Sequence, residues 1–237
     1  MSIEHVRIII CSLRFIFIIL YPYTNIFGMK KIIIILSISL SLISSNNAQN
    51  LKIEIGGGHS WQIDEYEGES IIDSKFKLCY QAGLTNEFEL PKSSSIKTGV
   101  FFEHNGRKES IALYENNYDG KIKIWYLNVP FSYKYNFNIN NTAYFFELGM
   151  FGGCALFGKV KYPSMQNGVV VTETEKLEFG KNAGLTRFDY GIISAVGVTI
   201  ANIDFSLKYQ HGIQDVNKTE KRTNKNRSVM ISCGIPL

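Results

Sequence analysis

Residues 125–162 read WYLNVPFSYKYNFNINNTAYFFELGMFGGCALFGKVKY. The odd positions Trp125, Leu127, Val129, Phe131, Tyr133, Tyr135 and Phe137 are all apolar or aromatic. Between them lie Tyr126, Asn128, Pro130, Ser132, Lys134 and Asn136. Side chains alternate between the two faces of a strand, so this is a strand with one greasy and one polar face. The Asn-rich residues 136–142 make a turn. A second run follows in the opposite phase. Tyr144, Phe146, Leu148, Met150, Cys154, Leu156 and Val160 share one face, and Glu147, Gly149, Phe151, Gly153 and Ala155 share the other. Together the two runs make a long antiparallel hairpin.

Its aromatics gather at the ends. Trp125 and Tyr162 mark one end, and Tyr133, Tyr135, Phe137, Tyr144 and Phe146 the other. A β-strand crosses a bilayer in about 9–11 residues, with aromatic girdles at both interfaces. The hairpin therefore fits a membrane barrel. It also fits a long hairpin in a soluble sandwich or a lipocalin-like barrel, so the rest of the chain must decide.

Two apolar runs precede the strands. Residues 8–20 are interrupted by Arg14. Residues 29–48 have the layout of a signal peptide, with basic Lys30 and Lys31, apolar Ile32–Ile43 and a small polar stretch ending at Ala48. The expected organisation is an upstream start or extra leader over 1–28, a signal peptide over 29–48 and one domain over 49–237. A two-helix membrane anchor is the competing reading of the first 48 residues. Without the leader the net charge is about +1, so the basic sequence pI of 8.7 does not point to nucleic acid. Cys79, Cys154 and Cys233 remain, an odd count that offers no disulfide framework. No Cys/His spacing suggests a metal, and no cofactor is expected.

Eight alternating runs follow the leader, at about 50–62, 74–85, 96–105, 125–137, 144–160, 187–200, 202–213 and 227–237. Short turns alternate with longer polar connections, of which 163–186 is the longest. An even strand number with short turns on one side and long loops on the other predicts an all-β fold: an eight-stranded antiparallel up-and-down transmembrane β-barrel. Alternation alone does not say which face is inside. The signal peptide and the aromatic ends favour lipid outside. A secreted lipocalin-like barrel around an apolar ligand is the alternative.

Eight strands leave an interior that side chains fill. The polar-face set expected there is Lys97, Glu103, Lys134, Glu147, Asp189, Asp204 and Lys208, paired as a salt-bridged plug. Lys134 and Glu147 should meet across the hairpin, because a turn near 138–141 brings residues summing to about 280 opposite each other. The expected girdle is Trp61, Trp125, Tyr133, Tyr135, Phe137, Tyr144 and Tyr162. Ile192 and Val198 should face lipid.

The segments YLNVPFSYKYNF, FFELGMFGGCALFGKV, FDYGIISAVGVTI, FSLKYQHGIQDV and NRSVMISCGIPL resemble the outer-membrane β-barrel domain common in Bacteroidetes. That family includes PorT-like proteins beside small barrels of the OmpA/OmpX type. The resemblance covers about 51–237, and its strength lies in order and phase rather than in identities. It implies the cell outer membrane and a non-enzymatic role in envelope structure, adhesion or secretion assistance. The implied partners are outer-membrane lipid and lipopolysaccharide, the barrel assembly machinery, and envelope or secretion proteins, with no nucleic acid. One departure is the ending Ile235-Pro236-Leu237, where such barrels usually carry a terminal aromatic.

Little else suggests chemistry. His59 and Ser60 are adjacent, but strand neighbours point to opposite faces and cannot pair as base and nucleophile. His104 and His211 fall on the apolar face near loop ends. Gly56-Gly57-Gly58 reads as a bend or close packing in the wall, since no helix follows to make a phosphate loop. Lys218–Arg227 reads as a solvated basic loop or a contact for lipopolysaccharide phosphates.

Overall fold

A computed structural model of the chain describes residues 51–66, 69–70, 75–113, 116–166, 169–180, 184–217 and 222–237. The expected leader, its cleavage site and the segment 1–28 lie outside the described residues. The strands are β1 (Leu51–Tyr66), β2 (Glu69–Ser70), β3 (Lys77–Leu90), β4 (Ser94–Leu113), β5 (Asn116–Ile139), β6 (Thr142–Gln166), β7 (Val169–Leu177), β8 (Phe188–Ile200), β9 (Ile203–Gly212) and β10 (Arg222–Pro236). The hydrogen-bonded order runs β10-β9-β8-β6-β5-β4-β3-β1, and β10 pairs back onto β1 from Lys52↔Pro236 to Tyr66↔Arg222. Eight antiparallel strands therefore close a ring, which has no free edge of its own. β2 lies beside β1, and β7 beside the far part of β6, both off the ring.

Burial settles which face is inside. Leu148 is 57% exposed, Met150 65% and Ile231 69%, whereas Lys134 is 1% and Glu103 0% exposed. The apolar face points out and the polar face in. A lipocalin-like barrel needs the reverse, so that alternative falls. An apolar band around the whole wall is what a lipid environment calls for.

The turn at one end is short in each hairpin. Asn140–Asn141 and Ala201–Asn202 each close a two-residue loop, with φ of 47° and 64°, and of 48° and 65°. Positive φ at both central residues is the turn whose twist matches a hairpin, and it suits Asn and Gly. Ala201 is the misfit, since a Cβ in the left-handed region costs about 1–2 kcal/mol. Ala201→Asn is expected to raise unfolding stability in lipid vesicles by about 1 kcal/mol and Asn202→Ala to lower it by about as much; denaturant titration of both variants checks this.

The far end differs from the expectation. The connections at 106–124 and 163–186 are not loops for most of their length. β4 and β5 stay paired out to Leu113↔Asn116, and β6 turns back on itself through β7, from Gly158↔Leu177 to Gln166↔Val169. Lys218–Arg227 is likewise not a loop throughout, because β10 begins at Arg222, and buried Arg227 donates through Nη1 to the Gly212 carbonyl at 2.7 Å. These runs carry β-branched and aromatic residues that continue the ladder. Their polar content hides that from a reading of hydrophobicity.

A bulge explains a second difference. The β5–β6 register shifts between Trp125↔Phe157 and Tyr126↔Ala155, leaving Leu156 as the extra residue. An inserted residue reverses the phase of everything beyond it. Val160, expected with the lipid-facing set, lies opposite Ile122 instead, while Phe157 takes the outer face. The glycines of β1 pack as expected. A Cβ at Gly58 would overlap the Val229 carbonyl of the neighbouring strand, and one at Gly56 would fall 2.6 Å from Ser232 Oγ.

Candidate functional site

The interior is filled in tiers, each set by the inward phase of several strands. Nearest the short turns is a closed ring of alternating charge. Lys52 Nζ lies 3.3 Å from Glu87 and 2.6 Å from Asp204, and Lys134 Nζ lies 2.9 Å from each of the same two carboxylates. Lys134 also sits 4.3 Å over the Phe145 ring. That ring closes against Gly197, where a Cβ would strike it. The next tier is a chain. Lys97 Nζ bridges Glu54 and Glu147 at 2.9 Å each, and Lys208 binds the other oxygen of Glu54. Each tier sums to zero charge, which lets burial proceed without a stranded ion.

Above these tiers amides replace cations. Buried Glu103 accepts from Asn105, Asn128 and Gln210. Asp189 accepts from Asn226 Nδ2 at 2.7 Å, and Asn226 in turn reaches the Tyr126 hydroxyl and Gln62. Nearest the far end the filling becomes apolar. Ile124, Tyr126 and Ala155 are buried against Ile122, Leu177 and Phe179. Beside them is a cavity of about 300 Å³, lined also by Arg107, Leu185 and Val216.

The expected lumen residues are thus all buried, but their partners are redistributed. Lys134 and Glu147 are direct register partners across the hairpin. They do not form the expected ion pair: Lys134 reaches Glu87 and Asp204 across the interior, and Glu147 is held by Lys97. The physical reason is that long side chains lean across a narrow interior toward the centre, where carboxylates from other strands converge. Glu103 and Asp189 were expected in ion pairs, but amides hold them. Lys52, Glu54 and Glu87 complete the tiers and were not among the candidates. Lys52 and Glu54 carry the inward phase of β1, so their signal was present in the alternation. Glu87 falls in the 86–95 stretch that reads as a connection.

Outside, the aromatic residues gather at two levels. Tyr80, His104, Trp125 and Phe157 form one continuous row across β3 to β6, with ring centres 4.6, 4.8 and 4.8 Å apart. Trp61 packs edge-on to Phe76 at 5.2 Å. At the turn end Tyr135, Phe137, Tyr144 and Phe146 lie 5.8–6.4 Å from their neighbours, with Tyr133 on the same face. Tyr162 is not in either level. It lies beyond the bulge on the β6–β7 ribbon, its hydroxyl donating to Glu175 and to Glu173. The bond to Glu175 is the main cause that pushes this phenol above its ordinary value. Hydrogen bonds led by Ser164 hold Glu173 below the usual carboxylate range. Val198 pairs with Tyr144 at the turn-end level, whereas Ile192 pairs with Met150 midway between the levels.

Ser60 and His59 point apart. Ser60 Oγ donates to the Gly106 carbonyl at 2.8 Å inside, while His59 stands edge-on to Phe76 outside. Among the described residues no group of His, Cys, Asp and Glu is placed to hold a metal ion.

Residues 39–218 match the family described as outer membrane protein beta-barrel domain. No curated protein matches. Among solved structures, Neisserial surface protein A (NspA) is 10% identical with a TM-score of 0.43, covering 79% of this chain and 97% of its own. Ail, the attachment invasion locus protein of Yersinia pestis, solved with the heparin analogue sucrose octasulfate, is 16% identical with a TM-score of 0.40, covering 79% and 97%. The outer membrane enzyme PagL is 12% identical with a TM-score of 0.38, covering 78% and 99%. The family match spans most of the sequence, and the chain belongs to the outer membrane protein beta-barrel domain family, an eight-stranded barrel of the outer membrane.

Proposed function

We propose that this barrel is non-enzymatic, that its lumen is sealed by its own side chains, and that it serves envelope structure, adhesion or secretion assistance through what it presents at its surface. The observation that carries the reading is the pair of stacked ion-pair tiers, Lys52–Glu87–Lys134–Asp204 and Glu147–Lys97–Glu54–Lys208. Buried charges satisfied on both sides hold one another in place, and an ion passing through would have to break them. The far-end hairpins β4–β5 and β6–β7 supply the surface for contact with other envelope or secretion components. The PorT-like resemblance points to secretion assistance among these roles.

Conductance across planar bilayers tests the seal. The purified protein is expected to insert without discrete current steps, and steps typical of an open pore would overturn the sealed lumen. The non-enzymatic part has its own test, since phosphorylated lipid A incubated with the protein should return with its acyl chains and phosphates unchanged by mass spectrometry.

A further inference from the structure

The outer face just beyond the Tyr80–His104–Trp125–Phe157 row carries lysines where neutral or opposite charges would be expected. One pleat further out, Lys123, Lys159 and Lys176 are register partners across β5, β6 and β7. Two pleats out, Lys108, Lys121 and Lys161 are partners across β4, β5 and β6. Like charges directly opposite on neighbouring strands destabilise a sheet. Here the opposition is repeated in two adjacent rows, and all six are exposed or half-exposed. The acids near them do not neutralise the rows. Asp119 lies a pleat beyond them on β5, Glu178 lies at the end of β7, and Glu173 and Glu175 hold Tyr162 on the ribbon's other face.

A groove opens at the β7 edge of this field. β6 leaves β8 after Cys154↔Phe188 and continues with β7 instead. The space left is about 540 Å³, lined by Phe157, Lys159, Lys176, Leu177, Phe179 and Arg187. Its apolar walls run from the exposed Leu156 and Phe157 in to Leu177 and Phe179, which also pack against the buried Ile124 cluster, and three cations and the Glu178 carboxylate stand at its rim. The short turns mark the periplasmic side of such barrels and the long hairpins the outside. The lysines therefore stand at the headgroup level of the outer leaflet.

We infer that this lysine field and its groove bind phosphorylated lipid A. The phosphates lie between opposed lysines and relieve their repulsion, and an acyl chain lies along Phe157, Leu177 and Phe179. Opposed strands stand about 4.8 Å apart, so one phosphate can accept from two ammonium groups at once. Lysine stems bury along the apolar wall while their heads stay at the polar level. The inference does not depend on the sealed lumen, and an open channel would leave it standing.

The test is lipid binding by the purified full-length barrel in detergent, read by native mass spectrometry. The probes are bisphosphoryl lipid A, the same lipid A with both phosphates removed, and phosphatidylglycerol. The expected result is at least tenfold tighter binding of the bisphosphoryl form than of the other two. K123Q/K159Q/K176Q should lose at least tenfold, K123R/K159R/K176R should retain it, and K92Q at a periplasmic turn should change nothing. Heat-modifiable gel mobility checks that each variant is folded. Should the triple Gln variant not assemble, K176Q on β7 outside the ring takes its place, with a two- to fivefold loss expected. Unchanged binding in the folded Gln variant, or equal binding of the dephosphorylated lipid or of phosphatidylglycerol, would overturn the inference.

Discussion

Replacing Lys134 with Met is expected to lower the unfolding free energy of the barrel by about 3–5 kcal/mol, the cost of stranding a buried partner charge. Lys134 is 1% exposed and shares Glu87 and Asp204 with Lys52. Without it two carboxylates are left on one ammonium, with the Phe145 ring beside the place the second ammonium held. Methionine replaces the stem but not the charge, so loss of packing contributes little. Double-mutant cycles read by denaturant unfolding in lipid vesicles separate the partners. Lys134→Met and Asp204→Asn should couple strongly, because each removes part of the same ring. Lys134→Met and Glu147→Leu should be nearly additive, despite their direct cross-strand register. Strong coupling in the second cycle and none in the first would show that the charges rearrange onto their own hairpin.

Ile192→Arg is expected to cost about 2–4 kcal/mol of stability in vesicles, and Val198→Arg only about 0–1 kcal/mol. Both residues have the outward phase of β8. The difference is depth. Ile192 pairs with Met150, midway between the two aromatic levels, while Val198 pairs with Tyr144 beside the periplasmic turn. An Arg at the second position can extend its head into the interface; at the first it stands between Met150 on β6 and His211 on β9, further from the short turns. Equal costs at the two sites would mean that the apolar band is not the lipid-facing one, or is placed at another height.

The alternation made much of this legible. Phase alone separates Ile53 and Ile55 from Glu54, and Phe131 and Tyr133 from Ser132 and Lys134, and the observed burial follows it. The turn at 140–141 fixed the register of its hairpin, Lys134 opposite Glu147 included. What stayed hidden has specific causes. Leu156 carries no mark of a bulge, since bulges are set by the twist of the closed sheet, and everything after it on β6 changes face. The β4–β5 and β6–β7 hairpins continue beyond the bilayer, where polar residues satisfy both faces and the alternation fades. The charge partners depend on which side chains from distant strands lean into one space. Strand phase places a lysine inside, but only closure decides which carboxylate it meets.

That dependence bears on how the barrel enters the membrane. The four charges of the innermost ring come from β1, β3, β5 and β9, and those of the next tier from β1, β4, β6 and β9. β1 meets β9 only across β10, at the seam where the first and last strands join. An open sheet pushed into lipid would carry Asp204 and Lys208 without Lys52 and Glu54, their counter-ions from β1. Insertion ahead of closure is therefore opposed by the charges themselves. The sequence builds in an order of events, in which the first strand must arrive beside the last before the bilayer accepts the whole.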